Sequence, residues 1–368
     1  MLYLDNAATT VRKPAAVYWS LIYNTLFRSF NAGRGAHGNS LRASETVIDT
    51  QELIARLLNV NNPQNIAFMP NATYALNAAI LGAHGGRHIA VSQMEHNSVL
   101  RPVHRLGNYS VAAADTEGYV STESFKKVIT ADTGLVICTH ASNVCGTIEP
   151  VSEIAAAAHE AGALFLLDAS QTIGAEEVDN SKINADFIAF PGHKGLMGPL
   201  GTGVLYVKDI KTINPVITGG TGSISDSLEQ PRIMPDMLHS GTLNTPAIAA
   251  LGSAVKYILK HREEIRGREA AAVRAFEERL KGIKGVKLYG NKDKTGISAF
   301  NIGNYTSDEA EELLRGRIAL RSGFHCAPLA HRALGTEDTG LLRISFGAFD
   351  SINKAKGAAE IVAALLLL

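Results

Sequence analysis

Lys194 stands in Gly192-His193-Lys194-Gly195, directly behind the apolar run 186–190. Structural lysines usually sit on helix surfaces. A glycine-bounded loop beyond a buried strand instead suits an amine that is partly desolvated and therefore nucleophilic. Asp168 ends another apolar run, 26 residues before Lys194, and Gln171 follows it. Glu95-His96-Asn97 and Ser142-Asn143 follow two further runs. An amine that can form a Schiff base and an acid that can protonate a pyridine nitrogen are the two groups that pyridoxal chemistry requires. Gln171 can donate to the ring's phenolic oxygen, and His96 can lie flat on its face. Asn71-Ala72-Thr73 opens a helix, where free N–H groups and the helix dipole favour a phosphate. Singly, Asp168 also reads as a helix cap and His96 as a surface histidine. Together they read as a site for pyridoxal 5'-phosphate, with Lys194 as the Schiff-base residue.

Positioning these groups requires a parallel sheet. The segments 66–69, 88–91, 135–139, 164–167, 186–190 and 204–207 are short, apolar and rich in Val, Ile, Leu and Phe. Ala-rich stretches of helical period, such as 73–83 and 151–161, separate most of them. That alternation predicts βαβ units and a mostly parallel α/β sheet covered on both faces. Ligands of such sheets gather beyond the carboxyl ends of the strands, where four consecutive ends deliver the imidazole, the amides, the carboxylate and the amine. Near Leu243 the texture changes to a long charged helical stretch, 245–281, followed by short strands at 286–289, 298–302 and 342–346. We read a large α/β domain over 14–245 and a smaller α+β domain from 1–13 and 246–368.

Composition excludes several classes. Lys+Arg and Asp+Glu both total 35, so bulk charge recruits neither nucleic acid nor a membrane surface. Three cysteines at irregular spacing are no disulfide framework and fit a reducing cytoplasm. The first residues lack a secretory pattern, and the apolar stretch 361–368 is far below the roughly 20 residues of a membrane span. The expectation is a cytoplasmic protein.

The motifs Leu4-Asp5-Asn6-Ala7-Ala8-Thr9, Glu95-His96-Asn97, Ser142-Asn143-Val144-Cys145-Gly146-Thr147, Asp168-Ala169-Ser170-Gln171 and Gly192-His193-Lys194 come in a telling order. In that order the chain resembles pyridoxal-phosphate enzymes of the class V aminotransferase fold, the cysteine desulfurases above all. Arg321-Ser322-Gly323-Phe324-His325-Cys326-Ala327 resembles the short cysteine loop of the branch called group II, which includes selenocysteine lyase-like members. The resemblance implies a type I pyridoxal-phosphate transferase fold, a homodimer, and conversion of L-cysteine to L-alanine. The sulfur would pass as a persulfide on Cys326 to an acceptor protein. It implies that Lys194 carries the cofactor, Asp168 protonates its ring, Gln171 contacts the ring oxygen, and His96 stacks and moves protons. Ala72, Thr73 and His193 would hold the phosphate, with Thr242 reaching it from the other subunit. Asn143 and Arg343 would grip the substrate carboxylate, with Arg34 and His37 nearby. One position departs from the pattern: Pro191 stands where the family carries a hydroxyl for the phosphate.

The type of reaction turns on Cys326. It lies between Gly323 and Pro328 in a segment that reads as an exposed loop continuing through 328–334 to Gly335, beside a histidine able to favour its thiolate. Cys138 and Cys145 read as small buried apolar residues. Lysis of selenocysteine, transamination with Cys326 idle, and a non-catalytic sulfur relay on the same scaffold remain open. Two other patterns lack their context. Gly33-Arg34-Gly35-Ala36-His37-Gly38 matches a dinucleotide fingerprint but follows no strand. Cys326 and His331 have no partners with which to complete a zinc site.

Overall fold

The computed structural model describes residues 1–33, 35 and 37–367. In chain order the first part comprises β1 (Leu2–Tyr3), α1 (Ala15–Phe27), α2 (Gly38–Leu58), β2 (Ile66–Met69), α3 (Ala72–Ala83), β3 (His88–Ser92), α4 (Asn97–Leu106) and β4 (Tyr109–Ala112). It continues with α5 (Thr122–Lys126), β5 (Thr133–Thr139), α6 (Val151–Glu160), β6 (Leu164–Asp168), α7 (Asn180–Ile183), β7 (Phe187–Pro191) and β8 (Gly203–Val207). The remainder comprises α8 (Thr245–Leu280), β9 (Val286–Tyr289), β10 (Ile297–Ile302), α9 (Ser307–Leu314), β11 (Ile318–Ala319), α10 (Pro328–Leu334), β12 (Leu342–Ser345) and α11 (Ile352–Ala363).

Seven strands form the main sheet in the order β2-β8-β7-β6-β5-β3-β4. Every pairing is parallel except the two made by β8. Strand side chains alternate between faces, and both faces are covered. Leu135 and Ile137 pack with α3 and α4, while Val136 and Cys138 pack with α2, α6 and the start of α8. The register sets Thr139 opposite Asp168, and Asp168 opposite Ala189. The carboxyl ends of β5 and β6 therefore finish level, with β7 running two residues further, and the loops beyond them come together along one rim.

Helix α8 runs 36 residues, about 54 Å at 1.5 Å per residue. Ile248, Leu251 and Val255 join the main core, whereas Val273, Phe276 and Leu280 join a second core with Phe300, Leu342 and Ile344. This second core lies against the antiparallel sheet β12-β10-β9. The chain start belongs here too: β1 pairs with β11, Leu4 is buried in the second core, and Asp5 bridges Ser345. No helix among the described residues is long and apolar enough to cross a membrane.

Candidate active site

Strand β7 is buried throughout and leads straight into Gly192. A Cβ on Gly192 would lie 2.1 Å from the Thr202 hydroxyl, so glycine is required by space at this exit. The Gly192 N–H donates to Thr202 O, and its own carbonyl accepts from Gly198 N–H. The Thr10 hydroxyl reaches the carbonyls of His193 and Lys194, both at 2.9 Å. These bonds hold the turn that aims Lys194 over the sheet edge. Desolvation brings the Lys194 amine down to about 8, and the nearby Asp168 carboxylate offsets only part of that effect.

Asp168 is only 3% exposed, and its Oδ1 accepts the Ser170 N–H at 2.9 Å. Burial pushes its carboxyl up, while the Ser170 hydrogen bond and the Lys194 charge pull it back. His96 caps α4: its Nδ1 accepts the Ser98 N–H at 3.0 Å. A neutral ring with an accepting Nδ1 carries its proton on Nε2. Desolvation, then the Lys194 charge, push this imidazole down to about 4, so it is neutral in the fold. His193 is likewise brought to about 4, chiefly by burial, and its Nδ1 lies 3.1 Å from the Thr9 hydroxyl. Gln171 donates to Ala7 O at 3.3 Å, and Asn143 donates to His325 O at 2.7 Å. Asn71 caps α3 by accepting the Tyr74 N–H, and the following Ala72 and Thr73 bring N–H groups with no acceptor inside the helix.

A cavity of about 110 Å³ gathers Lys194, Asp168, His96, Gln171, Asn143, His193, Ala72 and Thr73. The donor set fits pyridoxal 5'-phosphate: an amine, a buried acid, a neutral imidazole, and a helix start for an anion. Pro191 lines the same cavity and offers no donor. Ser98, which sequence reasoning passed over, stands on this wall with its hydroxyl 2.8 Å from that of Thr73. Its place in Glu95-His96-Asn97-Ser98 was the available signal.

Other expected residues lie elsewhere within the single chain. Thr242 is exposed and lines two other cavities, with His239 and Leu243. His37 caps α2 through the Ser40 N–H and is likewise outside the Lys194 cavity. Arg34 lies outside the described residues. Arg343 is 2% exposed, and both terminal nitrogens already donate, one to Asn143 O at 2.8 Å and one to Asp5 Oδ1 at 2.7 Å. Its Nε is buried without a partner. Each terminal nitrogen retains a second N–H for a carboxylate. Asp5 was not among the residues singled out for the site, although its motif was.

Cys326 is the exposed cysteine, whereas Cys138 and Cys145 are buried. Its carbonyl accepts the Asn97 N–H at 2.7 Å, which ties its turn to the start of α4. His325 and Cys326 both adopt left-handed backbone, at φ +48° and +57°. Two expectations change here. The stretch after Ala327, expected as loop, is helix α10: Pro328 opens it and Gly335, at φ +64°, ends it. His325, expected to assist the thiol, turns its ring inward to Leu341 O at 3.0 Å, and burial keeps it neutral.

Residues 2–356 match the aminotransferase class-V family model. The chain is 36% identical to a probable cysteine desulfurase of Methanothermobacter thermautotrophicus, over 92% of this chain and 88% of that one. It is 33% identical to one of Synechocystis, over 90% and 83%. Among solved structures, the apo cysteine desulfurase of Thermococcus onnurineus superposes with a TM-score of 0.92 at 29% identity, covering 100% of this chain and 94% of that one.

Proposed function

The chain belongs to the class V aminotransferase family, and within it to the cysteine desulfurases; from that premise we propose that it converts L-cysteine to L-alanine and carries the sulfur on Cys326 to an acceptor. The observation that carries this reading is one juxtaposition. Lys194, Asp168 and His96 line one cavity, and the exposed Cys326 is hydrogen-bonded through its backbone to the residue after His96. Pyridoxal 5'-phosphate, when bound, supplies the electron sink that lets an amino acid lose its Cα proton.

The chain's own groups do the rest. Lys194 would hold the cofactor, and the Ala72 and Thr73 N–H groups, with the hydroxyls of Thr73 and Ser98, would receive its phosphate. His193 stands beside them. Asp168 would set its negative charge against the pyridine nitrogen, and Gln171 would donate to the ring oxygen. Asn143 and the remaining N–H groups of Arg343 orient the substrate carboxylate. The Lys194 Nζ, freed when the substrate amine takes its place, would take the Cα proton, its pKa brought down to about 8. His96 carries its proton on Nε2, available for transfer. The Cys326 thiolate attacks the substrate sulfur, the carbon–sulfur bond breaks with its electron pair left on Cβ, protons taken up at Cβ and Cα complete alanine, and the sulfur stays on Cys326 as a persulfide. We place the enzyme in the cytoplasm as a homodimer, with Thr242 completing the partner's phosphate site.

Brief exposure to L-cysteine, followed by mass spectrometry and alanine assay, tests the reading. One added sulfur on Cys326 and stoichiometric alanine are expected. Cys326→Ala is expected to lose both while retaining bound cofactor. Alanine formation at the parental rate by Cys326→Ala, or sulfur added at Cys138 or Cys145, overturns it.

A further inference from the structure

A further cavity, of about 430 Å³, is lined by both His96 and Cys326. Its walls include Asn77 and Leu81 of α3 and, from α4, Arg101 and Arg105. The two arginines are four residues apart, one turn along a single helix face. Both are exposed, and among the described residues neither forms a salt bridge or a side-chain hydrogen bond. Among the described residues no carboxylate lines the groove. Guanidinium groups stay charged at any working pH and fit carboxylates in planar pairs. Two of them in one concave wall raise the local concentration of an anionic reactant. The Asn97 N–H bond to the Cys326 carbonyl fixes the thiol's turn to the helix that bears them.

We propose that this groove receives the sulfur acceptor, and that Arg101 and Arg105 select a thiol-bearing protein segment whose cysteine is flanked by acidic side chains. The proposal rests on Cys326 carrying sulfur. The acceptor thiolate attacks the outer sulfur of the Cys326 persulfide, the sulfur–sulfur bond breaks, and Cys326 leaves as its thiolate. The acceptor now holds the persulfide. Electrons and atoms balance without an added oxidant or reductant.

Two measurements on the holoenzyme test this, one of them independent of turnover. In the first, Cys326 is alkylated with iodoacetate or with neutral iodoacetamide, read by mass spectrometry, in the parent and in Arg101→Gln/Arg105→Gln. The double variant is expected to lose severalfold in iodoacetate rate and to keep its iodoacetamide rate, and high salt is expected to reduce the parent to the same ratio. In the second, cysteine-loaded enzyme is offered a cysteine peptide flanked by Asp and Glu, or one flanked by Lys. The acidic peptide is expected to collect sulfur at least tenfold faster from the parent, and at the rate of the lysine peptide from the double variant. An unchanged alkylation ratio, or peptides equivalent with the parent, overturns the proposal. Should Cys326 never load sulfur, the desulfurase reading falls, and the alkylation ratio still reports on the groove.

Discussion

At the scale of single residues, the least expected group is Glu95. It has no exposed surface; its Oε1 accepts from the Ser92 hydroxyl at 2.5 Å and the Thr139 N–H at 2.7 Å, and its Oε2 has no partner. It thus joins the ends of β3 and β5 just behind His96. Desolvation pushes the carboxyl up to about 8, with the Asp168 charge adding to the rise. A carboxyl raised in the fold favours folding fully below its unfolded value and loses that contribution as pH climbs through the folded one. The window is therefore from about 4.5 to about 8. Within it, one such group costs up to about 1.4 kcal/mol per pH unit. Glu95→Gln has no proton to lose, so its unfolding temperature, relative to the parent's, is expected to rise between pH 6 and pH 7.5. A difference independent of pH would mean that Glu95 is ionised in the fold. The motif Glu95-His96-Asn97 drew attention to its histidine alone, because a period-2 strand followed by a polar cluster reveals which residues reach the rim but not which one turns inward. The same holds for Asp5, whose bond to Arg343 spans 338 positions and comes from the chain start running beside β12.

At the scale of elements, the sheet was legible wherever both faces are buried. The apolar runs at 135–139 and 164–167 recur as β5 and β6, extended by a residue or two, since continuous apolar runs of that length mark the centre of a parallel sheet. Strand β4 was missed because it is an edge strand, half-exposed, and reads as Tyr-Ser-Val-Ala. The reversal of β8 was equally invisible, since an apolar run carries no direction. Yet β8 matters to the site: a Cβ on Gly203 would fall 2.5 Å from the Asn71 carbonyl carbon and 2.7 Å from its Cα. The start of β8 thereby fixes the cap of α3, whose first N–H groups form the proposed phosphate site. Gly203→Ala removes no polar group from the cavity, yet its Cβ must displace the backbone of Asn71, which lines it, and with it that helix start. We expect pyridoxal 5'-phosphate affinity to fall at least tenfold, about 1.4 kcal/mol, by equilibrium dialysis. Parental affinity would show that α3 is fixed by other contacts.

At the scale of the whole molecule, two features point outward. Helix α1 exposes Trp19 at 70%, Leu26 at 67% and Phe27 at 65%, with Ile22 and Tyr23 half out between them. These side chains recur at helical spacing on one face, and contiguous apolar surface of this kind marks association. Thr242 is exposed as well, outside the cavity its proposed role requires. Both fit a homodimer in which each chain lends a hydroxyl to the other's phosphate. The reach of Thr242 came from the family resemblance alone, because a residue serving a second chain would leave no trace in the contacts of its own. A ligand held by two subunits stabilises the dimer by its own binding free energy, so cofactor and assembly must be linked. Stripping the cofactor is expected to shift sedimentation toward monomer at low protein concentration, and restoring it to reverse the shift. Thr242→Val is expected to weaken cofactor binding and to shrink the difference in sedimentation between holo and apo protein. Should apo protein remain as dimeric as holo protein at every concentration, with Thr242→Val binding cofactor like the parent, the phosphate site is complete within one chain. The apolar face of α1 would then hold the dimer without any help from the cofactor.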